Sequence, residues 1–393
     1  MKNIAISTEK FIDWNGGLDF IKRVISVLAE AAKKQEVKIF IFVQSEKKYK
    51  RHKGLKRAYY KFMSKFLDKI TLEKTCAGFE EFSGLIFVKY LPKQLPKALK
   101  KFKIDIMLPH ITPDYFKLET KTIGYLHDCQ HKYYPEFFSK EEIEVRNTFF
   151  ENMINSDGKI IVNANSVKND LIKFFNATPE NLSVLPFLPT LKPEYLNDST
   201  QSIKKYNLSE RYFLLSNQFW AHKDHATAFK AFAKLVKSPQ YNDLELICTG
   251  LMEDYRNPQH IEDLKTLIEN LGCTEKIRIL GLVPKSEQIE IMKSSLALIQ
   301  PTLFEGGRGG GSVWDAISLG VSSVVSDIEP NLEIKEENML FFKTKDENDL
   351  ALKMEEIINS PKQKVTREQL IEKSQKNAKK LNDFLLDLIN KSL

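Results

Sequence analysis

Apolar positions along this chain fall into short runs that alternate with stretches of helical spacing, and the alternation occurs in two series. Residues 2–7 read as a buried strand. The glycine pair Gly16 and Gly17 follows, and then Leu18, Ile21, Val24, Ile25, Leu28, Ala31 and Ala32 recur at the intervals of one helix face over 18–33. Residues 37–43 form the next apolar run. Strand, glycine turn, helix, strand opens a βαβ unit, whose parallel strands require a helical crossover. The same reasoning predicts strands at 85–90, 104–109, 122–126, 159–163 and 183–185, with helices over 140–156 and 166–175.

Pro186, Pro189 and Pro193 then crowd a segment, 186–197, that reads as a linker. A second series follows, with strands predicted at 212–216, 244–249, 277–280, 296–300 and 323–326. Helices are predicted between them over 226–236, 261–271, 286–293 and 312–319. The fold class expected is α/β: two Rossmann-like domains with parallel sheets, at 1–190 and 198–363. The stretch 364–393 carries Leu381, Phe384, Leu385, Leu388 and Ile389 on one helical stripe, which is expected to pack back on the first domain.

Composition narrows the class. A length of 393 residues suits two domains, and 42% hydrophobic with 28% charged residues is a globular balance. No apolar run reaches the length of a membrane span, and the first residues lack the pattern of a signal peptide. Cys76, Cys129, Cys248 and Cys273 are scattered, with no C-x-x-C pair, which fits a reducing cytoplasm rather than a disulfide framework or zinc site.

The net charge of +7 is uneven. Residues 1–190 hold 32 Lys and Arg against 22 Asp and Glu, a balance of +10, and the remainder holds 27 against 30, a balance of −3. Within 47–65 stand Lys47, Lys48, Lys50, Arg51, Lys53, Lys56, Arg57, Lys61 and Lys65, interleaved with tyrosines. This segment is read either as a contact for an anionic membrane surface or as a solvated lysine-rich stretch. No nucleic-acid-binding motif accompanies it, so a specific nucleic-acid partner is not expected.

The chemistry concentrates at strand ends. Pro301-Thr302-Leu303-Phe304-Glu305-Gly306-Gly307-Arg308-Gly309-Gly310-Gly311-Ser312-Val313-Trp314-Asp315 follows a strand and opens a helix. Glycines there allow close backbone approach, helix-start amides favour phosphate, and the carboxylate of Glu305 accepts hydrogen bonds from hydroxyls. A second block, Ser216-Asn217-Gln218-Phe219-Trp220-Ala221-His222-Lys223-Asp224-His225, also links strand to helix and offers Lys223 as a fixed ammonium. In the first series, Tyr125-Leu126-His127-Asp128-Cys129-Gln130-His131 ends another strand. His127 and His131 have metal-ligand spacing, but no third ligand is evident, and no metal is expected.

These blocks resemble the GT-B glycosyltransferases, specifically the retaining family 4, over nearly the whole chain and most specifically over 212–342. The resemblance implies two domains facing a central cleft and transfer of a hexosyl group from a nucleotide-diphosphate sugar. By the same resemblance, Glu305 contacts the hydroxyls of the donor sugar. Backbone at Gly306, Gly307, Gly309, Gly310, Gly311 and Ser312 contacts sugar and phosphate. Lys223 clamps the diphosphate, while Gln218 stands where many members have arginine, beside Asn217. The family's Glu-x7-Glu becomes Glu-x9-Asp here, with Asp315 as the candidate for the ribose.

Gly250 and the loop containing Val283 fit the nucleotide-binding loops of the family, and Gly16 and Gly17 the glycine pair beside donor phosphate or acceptor. Glu333 is read as a loop residue or a helix-start carboxylate. His127, Asp128 and His131 are candidates to position or polarise reacting hydroxyls. The implied partners are a nucleotide-sugar co-substrate and a glycan or lipid-linked acceptor. The implied setting is bacterial surface-polysaccharide (lipopolysaccharide, O-antigen or capsule) synthesis, in the cytoplasm or on the inner face of its membrane. With no Asp-x-Asp pair at a strand end, no essential metal or other cofactor is expected. A non-catalytic sugar-nucleotide binder is the alternative; an NAD-dependent oxidoreductase lacks its dinucleotide fingerprint here.

Overall fold

The computed structural model describes residues 1–11, 15–44, 85–360 and 365–393. The basic segment 47–65 and Cys76 lie outside the described residues.

The first series folds into a seven-stranded sheet with order β3-β2-β1-β4-β5-β6-β7. Its strands are β1 (Lys2–Ser7), β2 (Val37–Gln44), β3 (Leu85–Tyr90), β4 (Ile106–His110), β5 (Lys121–Tyr125), β6 (Lys159–Val162) and β7 (Leu182–Val184). The second forms a six-stranded sheet with order β10-β9-β8-β11-β12-β13. It contains β8 (Tyr212–Ser216), β9 (Glu245–Thr249), β10 (Ile277–Gly281), β11 (Leu298–Gln300), β12 (Ser323–Ser326) and β13 (Met339–Phe342). Neighbouring strands pair in parallel throughout. Helices cover both faces, so central strands such as β4 and β8 are buried at every position.

Strand order locates the site. In the first sheet the chain order reverses between β1 and β4, and in the second between β8 and β11. At such a switch point the loops leaving adjacent strands diverge to opposite faces and open a crevice at the carboxyl ends. The helix Asn15–Lys33 follows β1, and the two chemical blocks 217–225 and 301–315 leave β8 and β11. Both crevices therefore contribute walls to one cleft.

Several elements differ from the sequence reading. The four-residue strand β13 and the helix Glu347–Asn359 were not predicted; the helix begins at Asp346, whose side chain accepts from the Asn348 and Asp349 amides. A short helix, Leu95–Lys101, also lies in unassigned sequence and opens with Pro96 in its first turn. The last helix, Arg367–Ser392, starts at a capping box in which Thr366 accepts from the Gln369 amide and Gln369 accepts from that of Thr366.

Leu381, Leu385, Leu388 and Ile389 of that last helix are buried in the first domain's core beside Ile21, Val24 and Leu28. Burying each such side chain is worth about 1.5–3 kcal/mol, which ties the chain's end across the molecule. The segment leading to the second domain is fixed as well. Asn377 Nδ2 donates to the Pro189 carbonyl at 2.8 Å, and Tyr195 is buried in the second domain's core.

Candidate functional site

The second domain's wall is built by two loops joined to each other. After β8, a short turn at Ala221–Lys223 precedes the helix His225–Leu235, whose N-cap Asp224 has left-handed backbone (φ 47°). Asp254, itself buried, accepts from the Ala221 amide at 2.9 Å and from Arg256 Nε at 3.0 Å. The loop after β11 is stitched to this turn: the Leu303 amide and the Thr302 hydroxyl both donate to the His222 carbonyl, at 2.7 and 3.2 Å. The stitching brings Lys223 Nζ to 2.5 Å from Glu305 Oε1. Both side chains are nearly buried, at 13% and 11% exposure.

A third residue fixes this pair. Gln300 Nε2 donates to Glu305 Oε1 at 2.9 Å and to the Gly309 carbonyl at 3.3 Å, while its Oε1 accepts from Asn217 Nδ2 at 2.6 Å. Because Asn217 dictates which end of the amide is the acceptor, Gln300 must present N–H groups to the glutamate. Oε1 of Glu305 is thus engaged twice, and a bound hydroxyl would meet Oε2. The left-handed Gly309 and Gly310 (φ 66° for each) turn the chain into the helix Gly310–Ser318. Gly310 and Gly311 line the cleft at that helix's start, where the first amides lack intrahelical partners.

The first domain supplies the opposite wall. Gly16 lies at the start of the helix Asn15–Lys33 and lines the cleft; Gly17 beside it is buried. Beyond β5, Asp128 accepts from Arg146 Nη2 at 3.0 Å and from the Gln130 amide at 2.9 Å, and its Oδ2 is 3.5 Å from His127 Nε2. Burial alone would raise the Asp128 carboxyl. His127, Arg146 and the Gln130 amide outweigh it and hold the group below the usual carboxylate range. Burial lowers the His127 imidazole, opposed by Asp128 and assisted by Arg146, so a neutral ring faces the cleft.

Arg146 Nε also donates to His131 Nδ1 at 3.3 Å, so the His131 hydrogen sits on Nε2, 3.1 Å from Asn147 Oδ1. Burial, then Arg146, pushes His131 down to about 4.

The walls enclose an interdomain cavity of about 300 Å³. Of the residues singled out in the sequence, Gly16, His127, Asp128, Lys223, Glu305, Gly306, Gly307, Gly310 and Gly311 line it. The others do not. His131 lies behind the wall, holding Arg146. Gly250 packs against backbone: a Cβ there would fall 1.8 Å from the Asn217 carbonyl oxygen. Ser312 donates to the Ser216 carbonyl at 2.5 Å, and the Gly309 amide is taken by Asn331 Oδ1 at 3.0 Å. Asp315 is ion-paired with Lys285, away from the cavity wall, and Gln218 and Val283 also lie outside the lining. Among the described residues, no three His, Cys, Asp or Glu side chains gather in a metal-binding group.

The glycines that follow Glu305 serve domain contact. A Cβ on Gly306 would lie 2.6 Å from the His127 carbonyl oxygen and 2.7 Å from Asp128 Cβ, and one on Gly307 2.9 Å from Asn163 Cβ. Glu333 is a helix-start carboxylate after all, but for a helix of the other domain. It accepts from the Asn165 and Ser166 amides, at 2.9 and 2.8 Å, at the start of the helix Asn165–Phe175. Arg308 bridges this junction, donating to Glu333 at 2.8 Å and to the Leu185 carbonyl at 3.1 Å.

Sequence reasoning missed Gln300, Arg146, Asn163, Arg23 and Trp314. The Arg23 guanidinium lies 4.0 Å from the Trp314 ring centroid across the cleft, and Asn163 donates to the Tyr125 hydroxyl at 2.7 Å. Each is a single polar or aromatic residue within an ordinary element. Only Gln300 left a trace, as the one amide ending an otherwise apolar strand.

Residues 198–377, a little under half of the chain, match the family described as glycosyl transferases group 1. Solved structures match over both domains. The chain is similar to a glycosyltransferase from Rickettsia africae, with 16% identity, 99% of this chain and 96% of that one covered, and a TM-score of 0.62. It is similar to Anabaena Alr3699/HepE in complex with UDP, with 14% identity, 100% and 98% covered and a TM-score of 0.60. It is also similar to WaaG, a glycosyltransferase involved in lipopolysaccharide biosynthesis, with 14% identity, 100% and 97% covered and a TM-score of 0.57. No curated protein matches the chain by sequence. The second domain matches the group 1 glycosyl transferase family, and the two parallel-sheet domains together form the GT-B fold.

Proposed function

We propose that this protein is a retaining glycosyltransferase that moves a hexosyl group from a nucleotide-diphosphate sugar to a glycan or lipid-linked acceptor. The observation that carries the reading is the Lys223–Glu305 pair, set beside a glycine-opened helix start on one cavity wall. As the anomeric bond breaks, positive charge develops on the sugar ring and negative charge on the departing diphosphate. Lys223 and the amides at the helix start meet the latter in a site whose dipoles are already oriented. Oε2 of Glu305 accepts sugar hydroxyls, while Gln300 holds the carboxylate when Lys223 turns to phosphate. Neutral His127, backed by Asp128, orients a reacting hydroxyl from the first-domain side. The cations and amides account for leaving-group stabilisation without a metal, so activity is expected to survive chelation.

The setting proposed is bacterial surface-polysaccharide synthesis at the cytoplasmic side, in line with the likeness to WaaG. The UDP held by HepE makes uridine nucleotides the first to try. One observation favours a second reading, a sugar-nucleotide binder without turnover: Asp315, the candidate ribose carboxylate, is already engaged by Lys285.

The test is release of nucleoside diphosphate from a panel of UDP-, GDP- and dTDP-hexoses, with and without a glycolipid acceptor extract. Acceptor-dependent release with retained anomeric configuration is expected. Saturable binding of a nucleotide-sugar with no release under any acceptor would favour the binder.

A further inference from the structure

Among the described residues, the lysines and arginines that line the interdomain cavity are Arg23, Lys223 and Arg308. Two of them are committed: Lys223 is paired with Glu305, and Arg308 with Glu333 at 2.8 Å. Arg23 forms no ion pair and donates no hydrogen bond; its guanidinium lies 4.0 Å from the Trp314 ring centroid. Asp19, one turn earlier on the same wall, is not paired with it. A ring face attracts the charge but offers no oxygen to the five N–H groups of a guanidinium.

Two helices set this cation beside the phosphate end of the cleft. Along the helix Asn15–Lys33, Gly16, Phe20 and Arg23 recur on the face that lines the cavity. Opposite, Gly310, Gly311 and Trp314 share one face of the helix Gly310–Ser318. Side chains lean toward a helix start, so the Trp314 ring stands about one turn, or about 5 Å, from the free amides there. Tyr195 marks the same place from the linker, with a buried hydroxyl that has no partner. Burial raises that hydroxyl, Asp315 and Asp19 add to the rise, and Arg23 opposes it. Arg23 of the first domain and Asp315 of the second, the candidate for the ribose, thus surround one buried group.

We propose that Arg23 binds the diphosphate of the nucleotide-sugar from the first domain, as the second cation beside Lys223. The assignment rests on the transferase reading and deepens it. The loop after β8 offers the diphosphate Lys223 alone, since Gln218 is uncharged and stands outside the lining. Lys223 is itself shared with Glu305, while a departing nucleoside diphosphate carries several negative charges. A guanidinium fork fits two phosphate oxygens at once and stays protonated throughout. Arg23 stands with Trp314 and Asp315 rather than with Glu305, which places phosphate, not the sugar, before its N–H groups. Held by Arg23 and Lys223 together, the diphosphate would also fasten the two walls of the cleft to each other.

The test is isothermal titration of the full chain with UDP, GDP and dTDP, for the parent, Arg23→Met, Arg23→Lys and Lys223→Ala. Arg23→Met is expected to weaken the tightest of the three by about 10- to 100-fold, the scale of a hydrogen bond to a charged group. Arg23→Lys keeps the charge and loses the fork, so its affinity is expected to fall between those of Arg23→Met and the parent. The KM for a glycolipid acceptor extract should not move. Thermal unfolding without ligand reports folding of each variant separately.

An affinity in Arg23→Met within about threefold of the parent, with binding lost in Lys223→Ala, would overturn this assignment and leave the transferase reading standing. A raised KM for the acceptor at unchanged diphosphate affinity would likewise overturn it, by giving Arg23 to a phosphate of the acceptor. Equal losses in Arg23→Met and Arg23→Lys would do the same, because shape and not charge would then be at work. No binding of UDP, GDP or dTDP by the parent would overturn both.

Discussion

Two carboxylates face each other across the cleft, Glu305 from the second domain and Asp128 from the first, and each is held by a cation. Glu305 is paired with Lys223 at 2.5 Å, and the whole arrangement comes from the loops leaving β8 and β11. Asp128 is paired with Arg146 at 3.0 Å, reached through a helix that begins twelve residues downstream, at Lys140, and is locked by His131 from behind. The first pair has one oxygen, Oε2, clear of its lysine and glutamine partners. The second is committed on both sides, to Arg146 and the Gln130 amide through Oδ1 and to His127 through Oδ2. The difference separates a group positioned to meet a ligand from one that sets the state of its neighbour. On the proposed function Glu305 is the contact for substrate, whereas Asp128 holds His127.

The largest effect that would break this contrast is on Lys223. Lys223→Ala is expected to lower turnover about 100- to 1,000-fold, the scale of removing one oriented donor from a developing negative charge. Steady-state release of nucleoside diphosphate measures it, and a loss under tenfold would remove Lys223 from the leaving-group role. Arg146→Gln should act first on stability. Removing one partner of a mostly buried pair leaves Asp128 uncompensated, at about 2 kcal/mol in urea unfolding.

The same variant tests the sign of the pH dependence. Asp128 sits below its usual value when folded, so its contribution is present at neutral pH and is lost on the acid side, as pH falls through the carboxylate range. His131, at about 4 when folded, weakens the parent as pH falls below about 6.5, because only the unfolded ring takes the proton there. Without Arg146 the His131 ring protonates more readily, and stability should fall less steeply between those values. An unchanged slope would separate His131 from Arg146.

Next in size is Gly306→Ala. The added methyl meets the His127 carbonyl and Asp128 Cβ, so the walls must separate. A loss of about tenfold in turnover, with nucleotide binding retained, is expected from such a misplacement of the two walls. Gln300→Glu gives the smallest change in rate at neutral pH but the sharpest comparison. It places a second carboxylate where the amide lay 2.9 Å from Glu305, and the two would share a proton. The acid limb of the activity profile should move upward by about one pH unit, whereas Gln300→Leu should lower activity without moving it.

Much of the fold was legible because parallel strands buried on both faces read as apolar runs and the crossover helices keep strict spacing. The boundaries of β1, β3 and β8 match to the residue. What escaped was short or locally polar: β13 with four residues, and the helix Leu95–Lys101, where lysines and Pro96 mask two buried leucines. In the site, Lys223 and Glu305 were legible as cleft residues because each stands in a block that runs from a strand through a turn or glycines to a helix. Arg146 and Gln300 were not, since their significance lies in partners far along the chain or on another strand. The glycines after Glu305 were legible as close-approach residues, yet Gly306 and Gly307 approach the first domain. Which surface a glycine permits is a tertiary fact.

The central claim is that the Lys223–Glu305 wall receives the diphosphate of a nucleotide-sugar. Its most direct test is thermal unfolding of the parent, Lys223→Ala and Glu305→Ala with UDP, GDP and dTDP and their hexose conjugates. A ligand at 100 times its dissociation constant adds about 2.7 kcal/mol to the folded state. Stabilisation of the parent by one nucleotide family, lost in Lys223→Ala and reduced for the sugar conjugate alone in Glu305→Ala, is the expected result. Equal stabilisation of all three proteins would place the nucleotide elsewhere and contradict the account.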